Sequence, residues 1–139
     1  MALSHVDGTG KASMVDVAAK GATDRVAVAD GLVTMSAEAL AQVRANSAAK
    51  GDVLATARLA GIMGGKKTAE LIPLCHPLPL DRIHVEAVVD EVRSAVHIVA
   101  TAKTRASTGV EMEALTARSE EHTSELQSHS DLVCRLLLE

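Results

Sequence analysis

Apolar and polar positions alternate most cleanly in the second half of the chain. From Arg82 to Val89, Ile83, Val85, Ala87 and Val89 share one face and Arg82, His84 and Glu86 the other. From Ala95 to Thr104, Val96, Ile98, Ala100 and Ala102 oppose His97, Thr101 and Lys103. Period-two patterns joined by a short polar link predict an antiparallel hairpin with one wet face, on which His84 and His97 are surface or cross-strand residues rather than ligands. Arg25 to Met35 alternates less regularly, through Val26, Val28, Leu32 and Val33, and predicts an extended segment with a break at Asp30-Gly31. Ser13 to Val17 predicts a short strand, and residues 1–12, weakly periodic with Gly and Ser, a loose arm.

Helical spacing is found between these runs. Ser36 followed by Ala-Glu-Ala-Leu predicts a capped helix to about Ala45. Asp52 caps a longer pattern, Val53 to Leu71, whose face of Val53, Ala57, Gly61, Gly64 and Thr68 is small enough to let another backbone approach closely. Leu54, Leu59, Ile62 and Met63 are its bulkier apolar members. Lys66 and Lys67 near its end suit the helix dipole. Gly64 and Gly65 each cost about 1 kcal/mol relative to Ala in a helix interior, a loss that packing must offset. After Ser107-Thr108-Gly109, Val110 to Ala117 predicts a helix with Glu111 and Glu113 in its first turn, where the dipole favours acids with or without chemistry.

One stretch fits neither period. Leu71 to Leu80, Leu-Ile-Pro-Leu-Cys-His-Pro-Leu-Pro-Leu, holds all three prolines of the chain, so it forms a stiff loop and neither helix nor interior strand. Its leucines and Ile72 can dock into a core while Cys75 and His76 face a cavity. The same residues also suit a tight connector with a buried Cys75 and a hydrogen-bonded His76.

Composition narrows the class. The 139 residues are one domain's worth of chain, and with no Phe, Tyr or Trp the core must be aliphatic, which makes oligomerisation a plausible source of further buried area. No apolar run approaches the roughly 20 residues that span a bilayer and no secretory signal opens the chain, so the expectation is a soluble, cytoplasmic protein. Two cysteines, Cys75 and Cys134, suit a reduced compartment. The net charge of −4 sits mainly at the end: residues 1–117 carry 12 Lys and Arg against 13 Asp and Glu, residues 118–139 carry 2 against 5. A near-neutral body offers no basic field for nucleic acid, so any anion site is local.

Lys50, His76, Glu111 and Glu113 come from separate segments that a fold could bring together: an ammonium for phosphate oxygens, an imidazole for proton transfer, and carboxylates for a polar heterocycle. Lys50-Gly51-Asp52, Leu71-Ile-Pro-Leu-Cys-His-Pro-Leu78 and Thr108-Gly-Val-Glu-Met-Glu-Ala-Leu-Thr116, with Met14-Val15-Asp16-Val17 and the Asp52 to Ile62 run, resemble the molybdenum cofactor biosynthesis protein C (MoaC) family of cyclic pyranopterin monophosphate synthases over about residues 4–117. That resemblance implies a ferredoxin-like α+β fold, an antiparallel sheet packed against helices, in a homohexamer (trimer of dimers) with sites at subunit boundaries. It implies conversion of (8S)-3′,8-cyclo-7,8-dihydroguanosine 5′-triphosphate to cyclic pyranopterin monophosphate and diphosphate. Lys50 matches a catalytic lysine; Leu74, Cys75, His76, Met112 and Glu113 match substrate-contacting positions, and Glu111 a further acidic one. Arg25, Lys66 and Lys67 are weaker candidates for triphosphate contacts. No metal site or intrinsic cofactor is implied, although a triphosphate commonly brings Mg²⁺.

The domain is expected over residues 13–117. Residues 118–139 resemble the in-frame translation of a sequencing-library adapter, a non-native tail in place of the family's C-terminal third. That third carries an Asp and a Lys in an Asp-Met-Cys-Lys pattern, which has no counterpart in the tail, so the chain is expected to be inactive and Leu136 to Leu138 to lack a burial site. The competing expectation is a non-catalytic ferredoxin-like ligand-binding or assembly module whose Cys-His loop is structural.

Overall fold

In a computed structural model that describes residues 5–46, 51–119 and, as backbone alone, 134–137, the elements run β1 (Thr23–Thr34), α1 (Ala37–Arg44), α2 (Val53–Lys66), α3 (Thr68–Leu71), β2 (Leu80–Asp90), β3 (Ala95–Ala106), α4 (Glu111–Ser119) and β4 (Cys134–Leu137). The hairpin forms where the alternation places it, β2 against β3 from Leu80↔Thr104 to Asp90↔Ala95. β1 pairs with the other side of β3, from Thr23↔Ala106 to Thr34↔Ala95, and with β4 on its outer side. The order is β2-β3-β1-β4 with every neighbour antiparallel. β1 and β2 therefore run the same way, joined by the helical segment, with β3 between them: a split βαβ unit of a ferredoxin-like α+β fold.

The inward rows are apolar. Val33, Val85, Ala87, Val96, Ile98 and Ala100 pack with Leu40 and Val43 of α1 and Ala117 of α4, while Ala27, Ala29 and Ala102 pack with Val110 and Ala114. The caps read from sequence both form: Ser36 accepts from Ala39 N–H at 3.1 Å and Asp52 from Ala55 N–H at 2.9 Å. His84 and His97 lie on the outer face, His97 Nε2 3.1 Å from Asp30 Oδ2 across the β1–β3 pair.

Three expectations fail. Ser13 to Val17 is not a strand; beside it is an isolated Val6↔Ala12 bridge, closed by a turn in which Asp7 Oδ1 accepts from the Thr9 and Lys11 N–H groups and Gly10 adopts φ +83°. β1 runs unbroken through Asp30-Gly31, because Gly31 provides clearance rather than a turn: the buried Arg118 guanidinium fills the space where a Cβ would project. The 53–71 helix is interrupted at Lys67, whose N–H donates to the Gly64 carbonyl at 2.9 Å before α3 begins.

The small face of α2 is taken up within the chain. Ala57, Gly61, Gly64 and Gly65 are buried, and α4 lies so close that a Cβ on Gly61 would stand 2.5 Å from the Ala117 carbonyl oxygen and 3.2 Å from Val85 Cγ2. Leu59 and Met63 point away, 63% and 59% exposed. Arg118 and Ser119 continue α4, and Cys134–Leu137 pairs with β1. The side chains of Leu136 to Leu138, whose burial was in question, lie outside the described residues.

Candidate functional site

The proline loop, the end of α2 and the start of α4 meet in one place. Thr68, buried, donates its hydroxyl to the Gly65 carbonyl at 2.8 Å and accepts, through its own carbonyl, the Ile72 N–H at 2.9 Å. Cys75 N–H then donates to the Ile72 carbonyl at 3.1 Å, turning the chain, and the loop reaches the sheet at Pro79, whose carbonyl accepts the Thr104 hydroxyl at 2.6 Å. Leu74, Cys75 and His76 are half-buried along this path. The His76 ring makes no hydrogen bond to a described residue. Between the loop and α4 lies a cavity of about 170 Å³ lined by Lys66, Lys67, Thr68, Glu70, Leu78 and Glu113 among others.

Glu113 is the unusual group. Helix geometry puts it on the α2-facing side of α4, where it is 4% exposed. Burial pushes its carboxyl above the ordinary 4.5, its own backbone N–H pulls the other way, and the Glu111 charge raises it further. Burial likewise pushes the Cys75 thiol up, with Glu113 as the second cause, so the two groups share one electrostatic environment. A carboxyl that holds its proton more readily can donate to an acceptor as well as accept from a donor. Lys66 and Lys67 at the rim supply the cations that anionic oxygens need.

The two acidic residues of the α4 first turn part company. Glu111 lines a separate cavity of about 450 Å³ with Thr23, Asp24 and Arg25, its carboxylate folded into the room left by the absent side chain of Gly109. Arg25 Nε is buried there with no hydrogen-bond partner among the described residues. Met112, between them in sequence, is 39% exposed.

Lys50 lies outside the described residues. Asp52, which follows it closely, caps the far end of α2, about 20 Å from Gly65 at 1.5 Å per residue, and Gly65 is the residue against which Glu113 packs. The structure thus gathers Pro77 and Leu78 of the proline loop with Glu113, Lys66 and Lys67 around one cavity and sets Glu111 and Arg25 at another; Cys75 is near enough to Glu113 to feel its charge, whereas His76 and Met112 are in the described lining of neither cavity. Thr104 was not singled out from sequence, although a hydroxyl continuing the inward row of Ile98, Ala100 and Ala102 was the available signal.

Among the described residues no group of three or more His, Cys, Asp or Glu could hold a metal ion, and no helix is long and apolar enough to cross a membrane. Comparison with known proteins places the same segments in one family. Curated relatives include the cyclic pyranopterin monophosphate synthases of Dinoroseobacter shibae, 60% identical over 117 residues, and of a Jannaschia species, 57% identical over 117. The match covers 84% of this chain in both cases and 74% and 72% of the respective relatives. The synthase of Brucella ovis is 55% identical over the same length, with 71% of that protein covered. The family model described as the MoaC family matches residues 14–122, a span that contains the sheet hairpin, the proline loop and all of α4. The chain therefore belongs to the MoaC family.

Proposed function

We propose that this chain serves molybdenum cofactor biosynthesis as a cyclic pyranopterin monophosphate synthase, a lyase acting on (8S)-3′,8-cyclo-7,8-dihydroguanosine 5′-triphosphate. The observation that carries the reading is the meeting, in a MoaC chain, of Pro77 and Leu78 of the Cys75-His76 loop, a buried Glu113 and the cations Lys66 and Lys67 around one cavity, with Cys75 within reach of the Glu113 charge. Closing a cyclic phosphate while diphosphate departs requires a hydroxyl to lose its proton and the leaving charge to be stabilised. Leu74, Cys75, His76, Met112 and Glu113 hold the heterocycle, with Glu111 as a further acid; Lys66, Lys67 and Arg25 face the phosphates, and Mg²⁺ travels with the triphosphate. Lys50 is the acid or electrostatic catalyst.

In a homohexamer with sites at subunit boundaries, Lys50 of one copy serves the cavity of another. Leu59 and Met63, exposed on the outer side of α2, provide apolar area for such a boundary.

The test is cyclic pyranopterin monophosphate formation by the chain and by a form carrying the family's C-terminal segment after residue 117, each with and without Lys50→Ala. Activity lost with Lys50→Ala is expected. An active form indifferent to Lys50→Ala refutes the assignment of the lysine.

A further inference from the structure

The loop that carries Cys75 and His76 is stiff, but stiffness alone does not orient it. Three prolines remove three backbone donors between Pro73 and Pro79, and the strand that follows starts irregularly, with a register shift between Leu80 and Arg82. At that junction Thr104, 2% exposed, continues the apolar inward row of β3. Its hydroxyl donates to the Pro79 carbonyl at 2.6 Å, a short bond from the best-paired strand of the sheet to the last residue of the loop. At the other end Thr68, 1% exposed, holds the loop's entry through its bonds to Gly65 and from Ile72.

We propose that Thr104 is a positioning residue: through Pro79 its hydroxyl sets the course of the loop that carries Cys75 and His76 and lines the cavity with Pro77 and Leu78, and hence how the site takes a nucleoside triphosphate. The second clause rests on the function proposed above; the first does not. A valine at this position keeps the shape of threonine and removes the donor, leaving the Pro79 carbonyl without a partner. Serine keeps the donor.

Three variants of the full chain separate the possibilities: Thr104→Val, Thr104→Ser, and Val85→Ala as a core lesion away from the loop. Two quantities are measured under native conditions: iodoacetamide alkylation of Cys75, followed on its own peptide by mass spectrometry, and the dissociation constant for GTP by equilibrium dialysis. Thr104→Val is expected to speed Cys75 alkylation and weaken GTP binding, each by about five- to tenfold, the equivalent of one lost hydrogen bond. Thr104→Ser is expected to stay close to the parent chain, and Val85→Ala to lower the melting temperature without either change. If Thr104→Val behaves like Val85→Ala, or if serine fails to rescue, the hydroxyl is ordinary core and the proposal is overturned. If the alkylation pattern holds but the parent chain does not bind GTP, the loop anchor stands and the nucleotide clause falls.

Discussion

Gly61→Ala is a sharp test of how the helices are held together. In an isolated helix the change is favourable by about 1 kcal/mol, because alanine loses less backbone entropy than glycine on folding. Here the new methyl would stand 2.5 Å from the Ala117 carbonyl oxygen and 3.2 to 3.4 Å from both methyls of Val85. A comfortable carbon to oxygen approach is about 3.3 Å, so α2 and α4 must separate by about 0.8 Å, and a backbone carbonyl cannot rotate aside. A gap of that size forfeits a quarter to a half of each dispersion contact it opens, along an interface built from Ala57, Gly61, Gly64, Gly65, Ala114 and Ala117. Overpacking of this kind costs about 3 kcal/mol, and after the propensity gain the net loss is about 2 kcal/mol. For a domain of this size that lowers Tm by about 8 °C. Lacking any aromatic residue, the protein is followed by circular dichroism at helical wavelengths rather than by intrinsic fluorescence. Gly65→Ala should be milder, since its nearest neighbour is the mobile Ile83 Cδ1 at 2.6 Å, and Gly21→Ala, with nothing within 4 Å, nearly neutral. A Gly61→Ala protein as stable as its parent, or less affected than Gly65→Ala, refutes the reasoning.

Glu113 supplies the remaining predictions. Its carboxyl is raised in the fold above the 4.5 of a free side chain, so the stability it contributes is complete below about pH 4.5 and is lost as pH rises through the raised value. Glu113→Gln should therefore be more stable than the parent at about pH 8, with the difference closing towards pH 4 in urea unfolding; a parent that is the more stable of the two at pH 8 contradicts the burial cost. Because Glu113 is also the second cause of the raised Cys75 thiol, Glu113→Gln should move the pH midpoint of Cys75 alkylation downwards. An unmoved midpoint means that the two groups do not share an environment.

What the sequence made legible is what depends on near neighbours. Alternation placed β2 and β3, and side chains that cap their own helices, Ser36 and Asp52, marked where α1 and α2 begin. Of the three failures, the break of the long helix at Lys67 is local, the Lys67 N–H bonding the Gly64 carbonyl, and the other two depend on what lies elsewhere in the chain. Gly31 looks like a breaker until Arg118 is seen filling the space beside it, and no local pattern connects those two positions. Ser13 to Val17 has the composition of a strand but pairs with no edge among the described residues, and an unpaired strand has no stability of its own. The small stripe of α2 was read as a surface for close approach, which it is, but the backbone that approaches is α4 of the same chain.

The same limit governs the site. Glu111 and Glu113 look like a pair because they are two residues apart. Two steps along a helix are about 200° of turn, so side chains so spaced cannot serve one small cavity. α4 is accordingly a partition: Glu113 faces the proline loop with Lys66 and Lys67, and Glu111 faces Arg25. The partition is the reason that two acids so close in sequence are put to different neighbours: Gly109, Val110 and Glu111 line the cavity that holds Arg25, and Glu113 lines the one beside α2 and the proline loop.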